Sequence, residues 1–477
     1  MSKESANNYE KKQIEEVKTL SGAQNIIYNL PNLGLQTQFA LMGTFLLTYY
    51  IIILGQPPII IGGIYSASIF LGAFLCPVWG AICDRYSTRF GRKKTFMLFS
   101  APFSIIVFVL IWSPPIPNTE YGTANLFLIL WFVILIFLYN TMSAAFNTTY
   151  LSMIPELSTE ENNRIKISIV NMLTLVMGAA LGMILPFFLL GDATENLNRE
   201  KTDFFYPNSL AGQQIYSQVI IYGVLISILF TICFILMMII IKEPEYPSNN
   251  TDSIRVIFKK IISPFKDRNY RNFLMSFGLL FIAATIFQVL IINFTTFVLN
   301  LRGDEFLIII MFASISGLIS FILFNNLSNK IGLRKSMQIC LIIGFLSFSS
   351  IILFLIPMSH EIIMIIGTLI VFFLIMAFVG AMIYPMAIVS DIIDKAQLNS
   401  DKNLSGSYMG TFTMVTSIAT AIAILLISIF LQLFGAESSF SYIIIFFIGG
   451  ILLLIGARIF RKVEDILVIK INLKFFI

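Results

Sequence analysis

Charge is what this chain has least of. Asp, Glu, Lys and Arg make up only 12% of its 477 residues, against about 25% in a soluble globular domain. Histidine occurs once, at His360, and cysteine four times, at Cys76, Cys83, Cys233 and Cys340. With no His, Cys and carboxylate cluster there is no ligand set for a metal, and none is expected. His360 has no partner that would make a nucleophile–base pair, so an enzyme is not expected either, nor a cofactor. The cysteines fall within or beside apolar runs and read as small packing residues rather than disulfides. Residues 1–25 are polar and lack the apolar core of a cleavable signal peptide.

Apolar residues, by contrast, make up 57% of the chain. They gather into twelve runs, at 34–54, 59–80, 95–113, 124–148, 166–190, 215–241, 273–299, 306–326, 336–357, 362–388, 407–432 and 440–460. About 20 residues is the length that carries a helix across a hydrocarbon layer. Lipid offers the backbone no hydrogen-bond partner, and these runs are too long for barrel strands, so each must be a helix. The expected fold class is an all-α integral membrane protein with twelve transmembrane helices.

Placing the N-terminus inside and alternating puts 28 of the 31 Lys and Arg on one side, leaving Arg199, Lys201 and Arg302 on the other. That bias predicts cytoplasmic termini and a multi-pass protein of the plasma membrane. The divisions that follow are an N-terminal tail (1–25), a six-helix half (26–241), a cytoplasmic linker (242–271), a second half (272–460) and a C-terminal tail (461–477).

The densest charge is "CDRYSTRFGRKK", residues 83–94. A topology signal needs only its Lys and Arg. Asp84, Gly80 four residues earlier and Gly91 require another reason. Gly80 lets a neighbouring helix come close, and Gly91 permits a turn before Arg92, Lys93 and Lys94. The stretch "NKIGLRKS" at 329–336 repeats the glycine followed by basic residues, six runs later. A second echo joins "IPELSTEENNR" from Ile154 to "VSDIIDK" from Val389. Two six-helix pseudo-repeats are the reading. Gly80, Asp84, Arg85, Arg89, Gly91, Arg92 and Lys93, with Asp391 and Asp394, are the expected cytoplasmic gate. In it Asp84 would latch the second helix to the eleventh.

The pattern Gly80-x-x-x-Asp84-Arg85, then Arg89-Phe90-Gly91-Arg92-Lys93-Lys94, resembles the signature loop of the major facilitator superfamily. With Pro77 included it is similar to that of the glycoside–pentoside–hexuronide:cation symporter group, which takes in the sucrose transporters. "SDIIDKAQLNSDKNLSGSYMG", residues 390–410, resembles the second hallmark of that group, and "IPELSTEENNR" its helix 4–5 loop. The resemblance implies the major facilitator fold and an alternating-access carrier with a site between its halves. It also implies acids and bases at positions held here by Gln36, Gly72, Cys76, Asn147, Met172 or its neighbour Asn171, and about Thr416. The ionisable group is missing at each of them.

The 26 acids agree. Those nearest the membrane, Asp84, Glu156, Asp391 and Asp394, all fall at cytoplasmic helix ends. An intramembrane carboxylate is the usual carrier of a proton or sodium ion. Na+ or H+ therefore stands only as a partner the resemblance implies, and the residues predict transport that depends weakly on either gradient. A facilitator, a cation bound through neutral oxygens and a changed substrate remain the open explanations.

What lies inside the runs is neutral and polar, including Gln288 and Asn293 in the seventh. A single buried Ser or Thr is more often glue between helices. The bulkier amides are costly to bury unpaired. Tyrosine offers a flat face and a hydroxyl. Gln36, Gln38, Asn147, Asn171, Tyr384, Tyr408 and Thr416 are the candidate substrate-binding residues. They suit a neutral, hydroxyl-rich solute such as a sugar or glycoside, carried by a secondary transporter. The alternatives are an amphiphile or lysolipid carrier of the same fold, and a non-transporting membrane sensor. The expected partners are that small molecule and the lipid bilayer. Nucleic acid is not among them, and the chain is expected to be a monomer.

Overall fold

The computed structural model describes residues 20–85, 91–115, 124–157, 161–194, 209–243, 263–398 and 405–463. Arg89, most of the linker and both outer tails lie outside the described residues, as do the side chains of Asp84, Arg85, Arg92 and Asp394. In chain order the long helices are α1 (Gly22–Leu47), α2 (Pro58–Arg85), α3 (Arg92–Trp112), α4 (Leu126–Leu157), α5 (Glu161–Thr194) and α6 (Leu210–Ile240). Then follow α7 (Arg268–Asn293), α8 (Glu305–Ile331), α9 (Leu333–Ser350), α10 (His360–Met382), α11 (Pro385–Leu398), α12 (Ser405–Phe434) and α13 (Ser439–Phe460). Among the described residues, twelve segments are long and apolar enough to cross a membrane, with α10 and α11 forming one of them. An even number of crossings brings α1 to begin, and α13 to end, at the same face. We call it the terminal face and its opposite the far face.

The helix boundaries follow from local chemistry. α1 starts at Gly22, well before the apolar run at 34, because Ser21 and Gln24 close a reciprocal capping box. Asn25, Asn29 and Asn32 lie inside that first stretch and are buried, which is why hydropathy alone passes over it. Pro385 breaks the tenth span between α10 and α11, since proline lacks the N–H and crowds the preceding turn. Pro31, Pro102 and Pro186 sit within continuous helices. Gly91 and Gly332 precede α3 and α9 at φ, ψ of 102°, 171° and 90°, 158°. That region is essentially closed to residues with a Cβ. The sequence repeat "glycine, then basic residues" is therefore a repeat of backbone shape.

α1 packs chiefly on α5 and α6. Lipid is as apolar as leucine, so close backbone approach and hydrogen bonds must hold such helices together. A methyl group at Gly178 or Gly182 of α5 would stand 2.4 Å from the α1 carbonyls of Leu33 and Thr37 respectively. The second half uses hydroxyls: Ser320 of α8 donates to the Met376 carbonyl of α10 at 2.7 Å, and Ser276 of α7 to that of Gly456 in α13 at 2.8 Å.

The far ends of α1 and α7 are copies of one another. Each relaxes into a π-helical turn, Thr48–Ile53 and Phe294–Val298. Leu54 N donates to Tyr49 O and Gln56 N to Tyr50 O, just as Leu299 N donates to Phe294 O and Leu301 N to Thr295 O. Gly55 and Asn300 then share a left-handed φ, at 64° and 53°. The matching residues differ by 245 positions, and so do Thr48 and Asn293, which hydrogen-bond each other at 3.0 Å. Residues related by a two-fold can touch only beside its axis, so this bond marks the pseudo-two-fold between the halves.

Gly182→Leu should force α5 off α1 and lower stability by about 1–3 kcal/mol, the usual cost of overpacking. Gly317→Leu on α8, where a new Cβ meets nothing within 4 Å, should be near neutral. Thermal unfolding of the two variants in detergent checks the contrast.

Candidate functional site

The halves meet through α1 with α7, α2 with α12, and α5 with α8. The hydrogen bonds across the seam between described residues sit on its far side. Besides Thr48–Asn293, Ser66 Oγ of α2 donates to Ala421 O of α12 at 2.7 Å. Gly303 N, just ahead of α8, donates to Thr194 Oγ1 of α5 at 3.2 Å. Gly62 of α2 lies so close to Ser428 of α12 that an added Cβ would stand 2.4 Å from that residue's Cβ.

Towards the terminal face the seam is open to contact along two narrow stripes. Between Leu30 and Ile53, the part-exposed residues of α1 are Leu30, Leu33, Gln36, Phe39 and Gly43. Between Leu280 and Thr296, those of α7 are Phe281, Ala284 and Gln288. The spacing of three or four residues places each set on one helix face. Both stripes stop at the same level. Gly43 and Gln288 are neighbours, with a Cβ at 43 falling 2.6 Å from Gln288 Nε2, and every residue from Thr44 to Gln56 and from Val289 to Thr296 is buried. Gly43 lies ten residues from Ile53, and Gln288 ten from Val298, or roughly 15 Å at 1.5 Å per residue. That is half of a ~30 Å hydrocarbon layer. A cleft with its floor near mid-membrane, closed above and accessible from the terminal face, is the candidate site.

The sequence candidates divide by where they sit against this cleft. Gln36 is on the α1 stripe, its Nε2 donating to Asn32 Oδ1 at 3.2 Å. Gln38 is off it and fully buried, accepting from the Tyr139 hydroxyl at 3.4 Å, while its Nε2 has no partner among the described residues. Asn147 of α4 and Thr416 of α12 are half-buried. Asn171 donates to Asn29 Oδ1 at 3.0 Å and to the Tyr150 hydroxyl at 3.1 Å, tying α5 to α1 and α4. Tyr384 is fully buried at the α10–α11 break and donates to Phe324 O at 2.8 Å. Tyr408 begins α12 at the terminal mouth, beside Asp267 at 3.4 Å. Every described Asp, Glu, Lys and Arg lies in a loop, near a helix end or on the short α11. The floor is neutral.

Of the expected gate, Gly80, Asp84 and Arg85 fall in the closing turns of α2, Asp391 is half-buried on α11, and Lys93 is buried. Lys93 Nζ reaches the Ser152 carbonyl of α4. Glu243, directly after α6, was not among the sequence candidates. Its carboxylate accepts from Lys93 N at 2.8 Å and Lys94 N at 2.9 Å, capping α3 where Gly91 leaves the space. An acid next to the end of an apolar run, opposite a helix start rich in Lys, was the signal available for it.

These features belong to a known class of membrane protein. Residues 27–457 match the family described as MFS/sugar transport protein, and the chain is a member of it. It is thus a multi-pass major facilitator transporter. Among its relatives, the sphingosine-1-phosphate transporter MFSD2B of Xenopus tropicalis is 22% identical over 396 residues, which is 77% of this chain and 72% of that one. The isoprimeverose transporter of Lactiplantibacillus pentosus is 24% identical over 160 residues, 33% of this chain and 32% of the relative. A crystal structure of a mutant of the nucleoside transporter NupG superposes with a TM-score of 0.63 at 13% identity, covering 92% of this chain and 100% of that chain. At that identity it is the fold that is shared.

Three substitutions test the site's frame. Gly62→Val should wedge the far seam open, so that Ala421→Cys reacts faster with a membrane-impermeant maleimide added from the far side. Gly63→Val, where a Cβ meets nothing within 4 Å, should leave that rate unchanged. Glu243→Gln removes the anion from the α3 N-terminus and should cost about 1–2 kcal/mol of stability, read by unfolding in detergent.

Proposed function

We propose that this transporter carries an uncharged, hydroxyl-rich solute such as a sugar or glycoside by alternating access, moving it down its gradient or in exchange. The observation that carries the reading is the neutral cleft floor. Amides and hydroxyls satisfy sugar hydroxyls as donors and acceptors. A carboxylate or phosphate would lose its hydration there with no fixed positive charge to replace it. The bias of 28 basic residues to one side makes the terminal face cytoplasmic, so the accessible cleft faces inward in this state. The isoprimeverose transporter among the relatives supports the choice of solute.

A second reading, an amphiphile carrier, rests on a different observation. The terminal half of α5 buries little beyond the strip that meets α1. Met172 is 60%, Val176 61% and Met177 57% exposed. A bare apolar helix bordering the seam between halves suits a hydrocarbon chain, and the sphingosine-1-phosphate transporter is the relative matched over the greater length.

The test is transport in proteoliposomes. Isoprimeverose should equilibrate and show counterflow, with a rate that is nearly the same with or without sodium and at either sign of an imposed pH gradient. Uphill accumulation driven by either gradient, lost on mutating Asp391 or Asp394, would overturn the uncoupled mechanism. Flip of a lysolipid between leaflets with no saccharide flux would transfer the conclusion to the second reading.

A further inference from the structure

We propose that Gln288 is the residue of the C-terminal half that grips the substrate, its amide held at the cleft floor by the gap at Gly43. This inference rests on the reading of an uncharged hydroxyl-bearing substrate.

Four observations converge on the pair. The part-exposed stripes of α1 and α7 both end there, where the sealed far ends begin. The two positions are 245 residues apart, the same offset that relates Thr48 to Asn293. Gln288 therefore stands beside the pseudo-two-fold axis, where both halves can touch one ligand. Gly43 has no side chain to fill the place opposite, and a methyl there would lie 2.6 Å from Gln288 Nε2 and 3.2 Å from its Cδ. Among the described residues the Gln288 amide has no hydrogen-bond partner, whereas Thr48, Asn171, Tyr384 and Asn293 are all engaged.

The chemistry follows from the group. A primary amide presents an N–H donor and a carbonyl acceptor side by side. That pair matches two adjacent hydroxyls of a saccharide, one accepting and one donating. A single hydroxyl or an alkyl chain uses only half of it or none. Gln36, two turns nearer the terminal face on the α1 stripe, lies along the path to the same floor.

The experiment uses the full chain in lipid nanodiscs and reads thermal stabilisation against isoprimeverose, methyl β-D-glucoside and octyl β-D-glucoside. A ligand that binds only the folded protein stabilises it by RT ln(1 + L/Kd) at ligand concentration L, so its melting temperature rises as affinity rises at fixed ligand concentration. Gln288→Leu keeps the volume and removes both hydrogen-bonding atoms. It should weaken the binding of whichever probe stabilises wild type by about three- to tenfold, the worth of one or two neutral hydrogen bonds, with the probe-free melting temperature little changed. Gly43→Ala should weaken the same probe by displacing the amide. Should the leucine variant fail to fold, Gln288→Asn, which keeps the amide but withdraws it by one methylene, must show the same direction. Stabilisation of wild type that Gln288→Leu and Gly43→Ala both retain overturns this inference and leaves the proposed function standing. No stabilisation of wild type by any of the three probes overturns the hydroxyl-solute reading, and this inference falls with it.

Discussion

Two copies of one helix touch at their own symmetry axis, and the rest of the molecule is arranged around that contact. Thr48 and Asn293 can bond only because both lie beside the pseudo-two-fold. Near such an axis space is shared, so a large residue on one side demands a small one on the other. Gly43 opposite Gln288 is that pairing in atoms. The π-helical turns just beyond them widen each helix end, and every residue in them except Phe297 is buried. With α1 and α7 pinned at the far end, the halves can diverge only towards the terminal face. A wedge-shaped cleft with its floor near mid-membrane is the geometric result.

A carrier that rocks about such a wedge needs halves that move as units. Many of the polar side chains in this chain serve that stiffness. Asn29, Asn171 and Tyr150 form a bonded knot between α1, α5 and α4, and Tyr28 joins it through the Tyr150 carbonyl at 2.6 Å. Small residues on α5 let that knot close. In the second half, Ser316, Ser320 and Ser276 donate to carbonyls of neighbouring helices. Each such bond in lipid is worth on the order of 0.6 kcal/mol. Their number matters more than any one of them, because together they fix the register of each half.

The fold was largely legible because its signals are compositional. Apolar runs and the bias of Lys and Arg survive any error in the ends. The Gly91–Gly332 echo was legible too, since a positive φ leaves a mark in the sequence. The candidate site was less so. Gln36 and Gln38 are the same residue type two positions apart, yet ~200° of helical rotation at about 100° per residue puts one on the cleft stripe and the other in the core. Asn171 reads as a binder by type and position, but its amide is taken up by Asn29 and Tyr150, a contact made over 142 and 21 residues of chain. Sequence could name Gln288 as a polar residue of the seventh span. It could not show that Gly43 stands opposite, because the relation between them is a symmetry of the folded halves. Glu243 was passed over for a similar reason, its partners Lys93 and Lys94 being 150 and 149 residues away.

The neutrality of the floor bears on how such a carrier can turn over. A central carboxylate left ionised resists occlusion, because closing the cleft strips its hydration. Only binding of the ion or proton removes that barrier, which is how a symporter forbids the empty carrier to return alone. A floor of amide and glycine imposes no such penalty. The empty and loaded forms then differ by hydrogen bonds and packing rather than by a charge. On the function proposed above both can cross, and the gradient of the solute itself sets the direction. On that proposal, the same absence of charge that suits a saccharide leaves no carboxylate at the floor through which an ion could be coupled to it.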